Sequence, residues 1–138
     1  MDAKVALLKG VPLFADLKDK ELQQVSGLTD EVDMAAGRRL TREGDFGHEF
    51  FVIIDGRVSV ERGGRHIAEL GPGDFLGEIA LVDLGPRTAT ATCVTDCRLL
   101  VMDRREFNSI MATSTMIQAA VLQALARRVR RLEPEPAD

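Results

Sequence analysis

The sequence predicts a mainly β fold with flanking α: an antiparallel sandwich or roll with helices at both ends. Three observations point there. Apolar residues recur at helical spacing before about residue 30 and after Arg104, whereas from Asp30 to Asp103 the period drops toward two. Glycines punctuate that middle region about every eight to twelve residues, as turns between short strands do. The runs between them are rich in Val, Ile, Phe and Thr, which suit a pleated, half-buried surface.

The elements follow in order. "DAKVALLKG" carries Val5, Leu7 and Leu8 and closes on Gly10, a short helix with a glycine C-cap. "VPLFADLKDKELQQVSGL" gives a proline-led turn, then a second helix bearing Leu22, Val25 and Leu28. Strands are predicted in "EVDMAAG", "RRLTREG", "EFFVIIDG", "RVSVERGG", "RHIAELGPGD", "TATATCVTD" and "CRLLVMD", and the unbroken apolar run "FFVII" is expected to be buried on both faces. "RREFNSIMA" returns to helix with Phe107, Ile110 and Met111 on one face. "TMIQAAVLQALARRVRRL" continues with Ile117, Val121, Leu125, Val129 and Leu132, a stripe that must lie over the sheet or pair with its own copy. The 138 residues fit one domain, which at that length buries roughly two thirds of the surface of its unfolded chain. It divides into N-terminal helices over 1–30, the sheet region over 31–103, C-terminal helices over 104–133 and a tail over 134–138.

Composition excludes several classes. A net charge of -4 gives no general attraction to nucleic-acid backbones, and the basic run "ARRVRR" reads as cations complementing a helix C-terminus. No run approaches the roughly 18 apolar residues of a membrane span, and "MDAKVALLKG" does not resemble a signal peptide, so no membrane partner and a cytoplasmic location are expected. Cys93 and Cys97 lack the second pair that a zinc site needs and read as reduced residues of a strand and turn. His48 and His66, the two histidines, read as surface residues.

The chemistry concentrates in "FLGEIALVDLGPRTATAT", Phe75 to Thr92. Gly77 lets a ligand approach the main chain, and "EIALV" after it reads as a single helical turn whose free N–H groups favour an anion. Arg87 follows the bend fixed by Pro86, leads the next strand, and brings a planar fork suited to phosphate oxygens, with the Thr88 hydroxyl beside it. Glu78 would repel a phosphate but would accept a hydrogen bond from a sugar hydroxyl. A phosphate and a ribose hydroxyl in one small rigid ligand describe a cyclic nucleotide.

This segment resembles the phosphate-binding cassette of the cyclic nucleotide-binding domain family, Phe-Gly-Glu-x-Ala-Leu, three variable residues, then Pro-Arg-x-Ala-Thr. Here it occupies residues 75–90, with Leu76 inserted between Phe75 and Gly77 as in relatives of the catabolite activator protein. "GDFGHEFFVIIDGRVSV" is similar to the family's hairpin, with Phe51 in the place of a Tyr, and "LGPGDFLGE" to its lead into the cassette. The resemblance covers nearly all of residues 10 to 132 and implies an antiparallel β-roll, a double-stranded β-helix of jelly-roll type. It implies that Arg87 grips the exocyclic phosphate oxygens, with Thr88 and the N–H groups of Ile79, Ala80 and Ala89 completing the cradle. Glu78 accepts from the ribose 2′-hydroxyl, helped by the backbone at Gly77, and Val60 and Ile67 flank sugar and base. Arg128, Val129 and Leu132 of the last helix supply the lid over the base.

The implied role is a non-enzymatic sensor that binds cAMP in preference to cGMP, needs no metal, and transmits occupancy through its last helix. The receiver is a second copy of the chain or an unidentified protein. The family's DNA-reading members continue into a helix-turn-helix, and this sequence ends six residues past Leu132, so direct nucleic-acid binding is not expected. Two alternatives are a dimerisation scaffold of the same fold, which would carry a damaged cassette, and a cupin-type metalloenzyme, which would need more than two histidines.

Overall fold

A computed structural model describes residues 3–10, 14–77 and 85–132. Helices α1 (Ala3–Lys9) and α2 (Asp19–Gly27) precede strands β1 (Asp30–Met34), β2 (Arg39–Thr41), β3 (Glu49–Asp55), β4 (Val58–Arg62), β5 (Arg65–Leu70), β6 (Phe75–Leu76), β7 (Thr90–Cys93) and β8 (Cys97–Asp103). Helices α3 (Arg104–Thr113) and α4 (Thr115–Leu132) follow. The strands make two four-stranded antiparallel sheets, ordered β1-β8-β3-β6 and β2-β7-β4-β5. The expected β-roll with helices at both ends is the architecture found.

Local chemistry sets the helix ends. Gly10 N–H donates to Leu7 O at 3.1 Å and closes α1. Asp103 caps α3 reciprocally: its Oδ1 accepts from Glu106 N at 2.9 Å while Glu106 Oε1 accepts from Asp103 N at 3.1 Å. Between α3 and α4 the chain turns at Ser114, whose backbone is extended. The buried Ser114 hydroxyl accepts from Ile117 N at 3.2 Å, starting α4, and donates to Glu21 Oε2 of α2 at 2.5 Å.

Two apolar cores share one sheet. Phe50 and Val52 of β3, with Leu100 and Met102 of β8, pack against Leu8, Leu22, Val25, Phe107, Ile110, Ile117 and Val121 of the helices. Phe51 and Ile53 of β3, with Cys97 and Leu99 of β8, pack inside the roll against Val58, Leu76, Ala91 and Cys93. Alternation in an extended strand sends neighbouring side chains to opposite faces, so the "FFVII" run is buried on both sides as its composition predicts. The stripe on α4 enters the helix-side core, with Ile117 and Val121 buried and Leu125 packed beside them. The side chains of Val129 and Leu132 lie outside the described residues, as do the proline-led turn at 11–13 and the tail.

The structure adds one strand and corrects one reading. β6 is a strand of two residues, too short for a period to reveal, pairing Phe51 with Leu76 and Val52 with Phe75. Arg87 does not lead β7, which begins at Thr90; it stands in the irregular approach to that strand.

Candidate functional site

The approach to β7 is held side-on by its neighbours. Arg87 N donates to Asp45 O at 2.7 Å, and Gly44 N donates back to Arg87 O at 2.9 Å. One residue on, Arg62 Nε of β4 donates to Thr88 O at 3.0 Å, and Thr41 Oγ1 of β2 donates to Ala89 O at 3.0 Å. Glu43 joins two elements, its N–H donating to Thr90 Oγ1 and its Oε1 accepting from Gly63 N at the β4–β5 turn, each at 2.9 Å. Three successive carbonyls of residues 87–89 are thereby occupied, while no described residue accepts from the Ala89 N–H.

The Arg87 side chain runs inward and is 6% exposed. Its Nη2 donates to Glu49 O at 2.8 Å and its Nη1 to Gly77 O at 3.4 Å. A guanidinium is costly to bury without hydrogen-bond acceptors, and here β3 and Gly77, the residue after β6, supply carbonyls on two sides. The chain can bring those carbonyls close because Gly77 has φ +95°, a left-handed conformation that other residues adopt at a cost. A Cβ at Gly77 would stand 2.5 Å from Glu49 O and 2.7 Å from Arg87 Nη1.

The predicted site residues fall into three groups. Gly77, Arg87, Thr88 and Ala89 come together as described, with Arg87 buried and Thr88 exposed. Val60 and Ile67 lie on the neighbouring β4–β5 hairpin; Val60 is half-buried and pairs with Ala91 and Ala68. The register slips after Val60, so Ile67 faces no partner across the strand and remains 48% exposed, an apolar side chain beside the site without a core to enter. Glu78, Ile79 and Ala80 lie outside the described residues, and with them the helical turn expected after Gly77. Arg128, Val129 and Leu132 are on the α4 backbone, and their side chains also lie outside the described residues.

Sequence reasoning missed the other wall of the site. Asp45, Gly47 and Glu49 all sit at Arg87, and two of the three contribute main-chain atoms that residue type does not reveal. Gly47 alone left a signal, a second glycine three residues after Gly44 and just before a strand.

Elsewhere the chemistry is structural. His48 and His66 are exposed, His66 Nδ1 lying 2.9 Å from Ser59 Oγ. Cys93 and Cys97 are free and buried; burial, then the neighbouring Cys97 thiol, pushes the Cys93 pKa from its ordinary 9.0 to about 12. Among the described residues no cluster of three His, Cys, Asp or Glu is placed to hold a metal. No single helix there is long and apolar enough to cross a membrane. A groove of about 310 Å³ between α2 and the C-terminal helices, lined by Gln23, Gln24, Leu28, Ser109 and Ile117, shares no residue with the predicted site.

Comparison with known proteins places this geometry. The family described as cyclic nucleotide-binding domain matches residues 31–114. The CRP-like cAMP-activated global transcriptional regulator of Mycobacterium tuberculosis is 32% identical over 137 residues, covering 96% of this chain. The chain spans 61% of the length of that relative. Among solved structures, the catabolite activator protein of Thermus thermophilus superposes with a TM-score of 0.80 at 30% identity, over 88% of this chain and 59% of that one. The regulatory domain of Toxoplasma gondii PKA, solved with cAMP, superposes with a TM-score of 0.69 at 34% identity, over 78% of this chain and 42% of that one.

Proposed function

The chain belongs to the cyclic nucleotide-binding domain family, and from that premise we propose that it is a cytoplasmic cAMP sensor built around Arg87. The observation that carries this reading is the buried guanidinium held by carbonyls of Glu49 in β3 and Gly77 just after β6. A flexible cation left in water would lose conformational freedom on gripping a ligand. Arg87 has given up that freedom already, so its fork meets a phosphate pre-organised.

In this reading Arg87 binds the exocyclic phosphate oxygens, aided by the Thr88 hydroxyl and the N–H groups of Ile79, Ala80 and Ala89. Glu78 and the backbone at Gly77 hold the ribose 2′-hydroxyl, and Val60 and Ile67 flank the sugar and base. The exposure of Ile67, and an Ala89 N–H that no described residue accepts, support those assignments. The α4 residues Arg128, Val129 and Leu132 cap the base. The cAMP-bound and cAMP-activated relatives support cAMP as the ligand. The domain regulates rather than catalyses, and no metal takes part.

Occupancy reaches the C-terminal helices through aromatic contacts on α3. Phe75, which precedes the cassette glycine, lies 5.6 Å from Phe50 between ring centroids, and Phe50 stacks on Phe107 of α3 at 5.3 Å. A ligand that prefers one placement of residues 75–90 thereby biases the helices, by no more than its differential affinity for the two states. The receiver is a second copy or another protein; on α4 the exposed Leu122 offers apolar surface for it.

Calorimetric titration with cAMP and cGMP tests the reading. Saturable one-to-one binding with at least a tenfold preference for cAMP, about 1.4 kcal/mol, is expected. Binding of neither nucleotide would overturn the function, and a cGMP preference would overturn the ligand choice.

A further inference from the structure

Gly47 lies in the loop before β3, against the guanidinium of Arg87. A Cβ placed on it would stand 2.5 Å from both Cζ and Nη2 of Arg87 and nearer still to Nε. Packed heavy atoms do not approach so closely, so a methyl group here and the guanidinium exclude each other. The three nearest neighbours of that methyl all belong to Arg87. Gly77 differs, because its left-handed φ and the Glu49 carbonyl would resist a side chain whatever Arg87 did. Gly47 is not among the glycines with positive φ, so its backbone is open to any L residue.

We infer that Gly47 is a positioning residue whose bare backbone forms the floor of the slot holding the Arg87 guanidinium where it meets a ligand phosphate. The inference rests on the reading of Arg87 as the phosphate ligand. The head of a long side chain can swing away from a methyl with little harm to the fold. In doing so it abandons Glu49 O and Gly77 O, two acceptors among the described residues that fix its direction. A fork that binds two phosphate oxygens at once tolerates little misplacement, so the methyl is felt in binding more than in folding.

The test combines Gly47→Ala, Arg87→Ala and the double variant, each titrated with cAMP, with the Arg87 Nε–H resonance followed by NMR in the full chain. Gly47→Ala is expected to remain folded, to lose at least tenfold in affinity and to shift that resonance, while the double variant binds no more weakly than Arg87→Ala alone. A folded Gly47→Ala protein with unchanged affinity and an unmoved resonance overturns the inference. So does a further loss of affinity when Gly47→Ala is added to Arg87→Ala. Should the wild-type chain bind no cyclic nucleotide, the functional reading falls, and the resonance still decides: shifted in Gly47→Ala, the slot stands; unmoved, it does not. Should Gly47→Ala fail to fold, recovery of folding in the double variant supports the inference, and failure of both overturns it.

Discussion

Phe50 and Phe51 are adjacent in the chain and belong to different cores. Phe50 joins a stack with Phe75 and Phe107 on the helix side, where both ends of the chain meet, whereas Phe51 enters a roll interior of Ile53, Val58, Leu76, Leu99 and two cysteines closed off by strands. The roll interior is a frame; its rim carries Arg87 and the loop that holds it. In the proposed reading the helix-side core is the part that moves: α3 and α4 meet at Ser114 and bring apolar side chains into it. The segment 75–77 touches both, sending Phe75 to one core and Leu76 to the other just before the site begins. Under the proposed function, a ligand at the rim would have a direct mechanical route to the helices and a stiff wall behind it.

Truncating each core in turn separates them. Phe107→Ala is expected to destabilise by about 3 to 5 kcal/mol and Ile53→Ala by about 2 to 5 kcal/mol, both read from denaturant unfolding. Beyond stability they should differ. Phe107→Ala cuts the aromatic route and should change the cAMP affinity of the folded protein several-fold, while Ile53→Ala should leave it within about twofold. Equal effects of the two on affinity would erase the distinction between frame and moving part.

A smaller effect belongs to the rim. Arg87→Ala removes charge-assisted hydrogen bonds worth about 1.5 to 3 kcal/mol, so cAMP should bind at least tenfold more weakly by calorimetry. A wild-type affinity in that variant would mean that the guanidinium serves the roll and not a ligand.

The smallest effect marks the roll interior. Because the Cys93 thiol is raised from 9.0 to about 12 in the folded chain, the fold favours its neutral form. That stabilisation is complete below about pH 9 and is lost as pH rises toward 12, since the unfolded chain then releases a proton that the native chain retains. Denaturation midpoints measured across that window should fall less steeply in Cys93→Ala than in the wild type.

Much of this was legible in the sequence, and what was not has physical reasons. The doubly buried β3 could be read from "FFVII", because burial on both faces removes polar alternation. Arg87 and Gly77 could be read from the glycine spacing around them. The pairing of β8 between β1 and β3 could not, since those contacts join segments some forty to seventy residues apart and local period carries no partner. Neither could the acceptors at Glu49 and Gly77, which are carbonyls present at every residue. Gly47 was visible only as a glycine in a loop; what it accommodates became apparent when Arg87 was seen to fold back across it.

A crystal structure of the chain with cAMP would decide the role of Arg87. The exocyclic phosphate oxygens are expected about 2.7 to 2.9 Å from its guanidinium nitrogens, with the bonds to Glu49 O and Gly77 O kept. A nucleotide bound elsewhere, or an Arg87 that turns away from its phosphate, would contradict it.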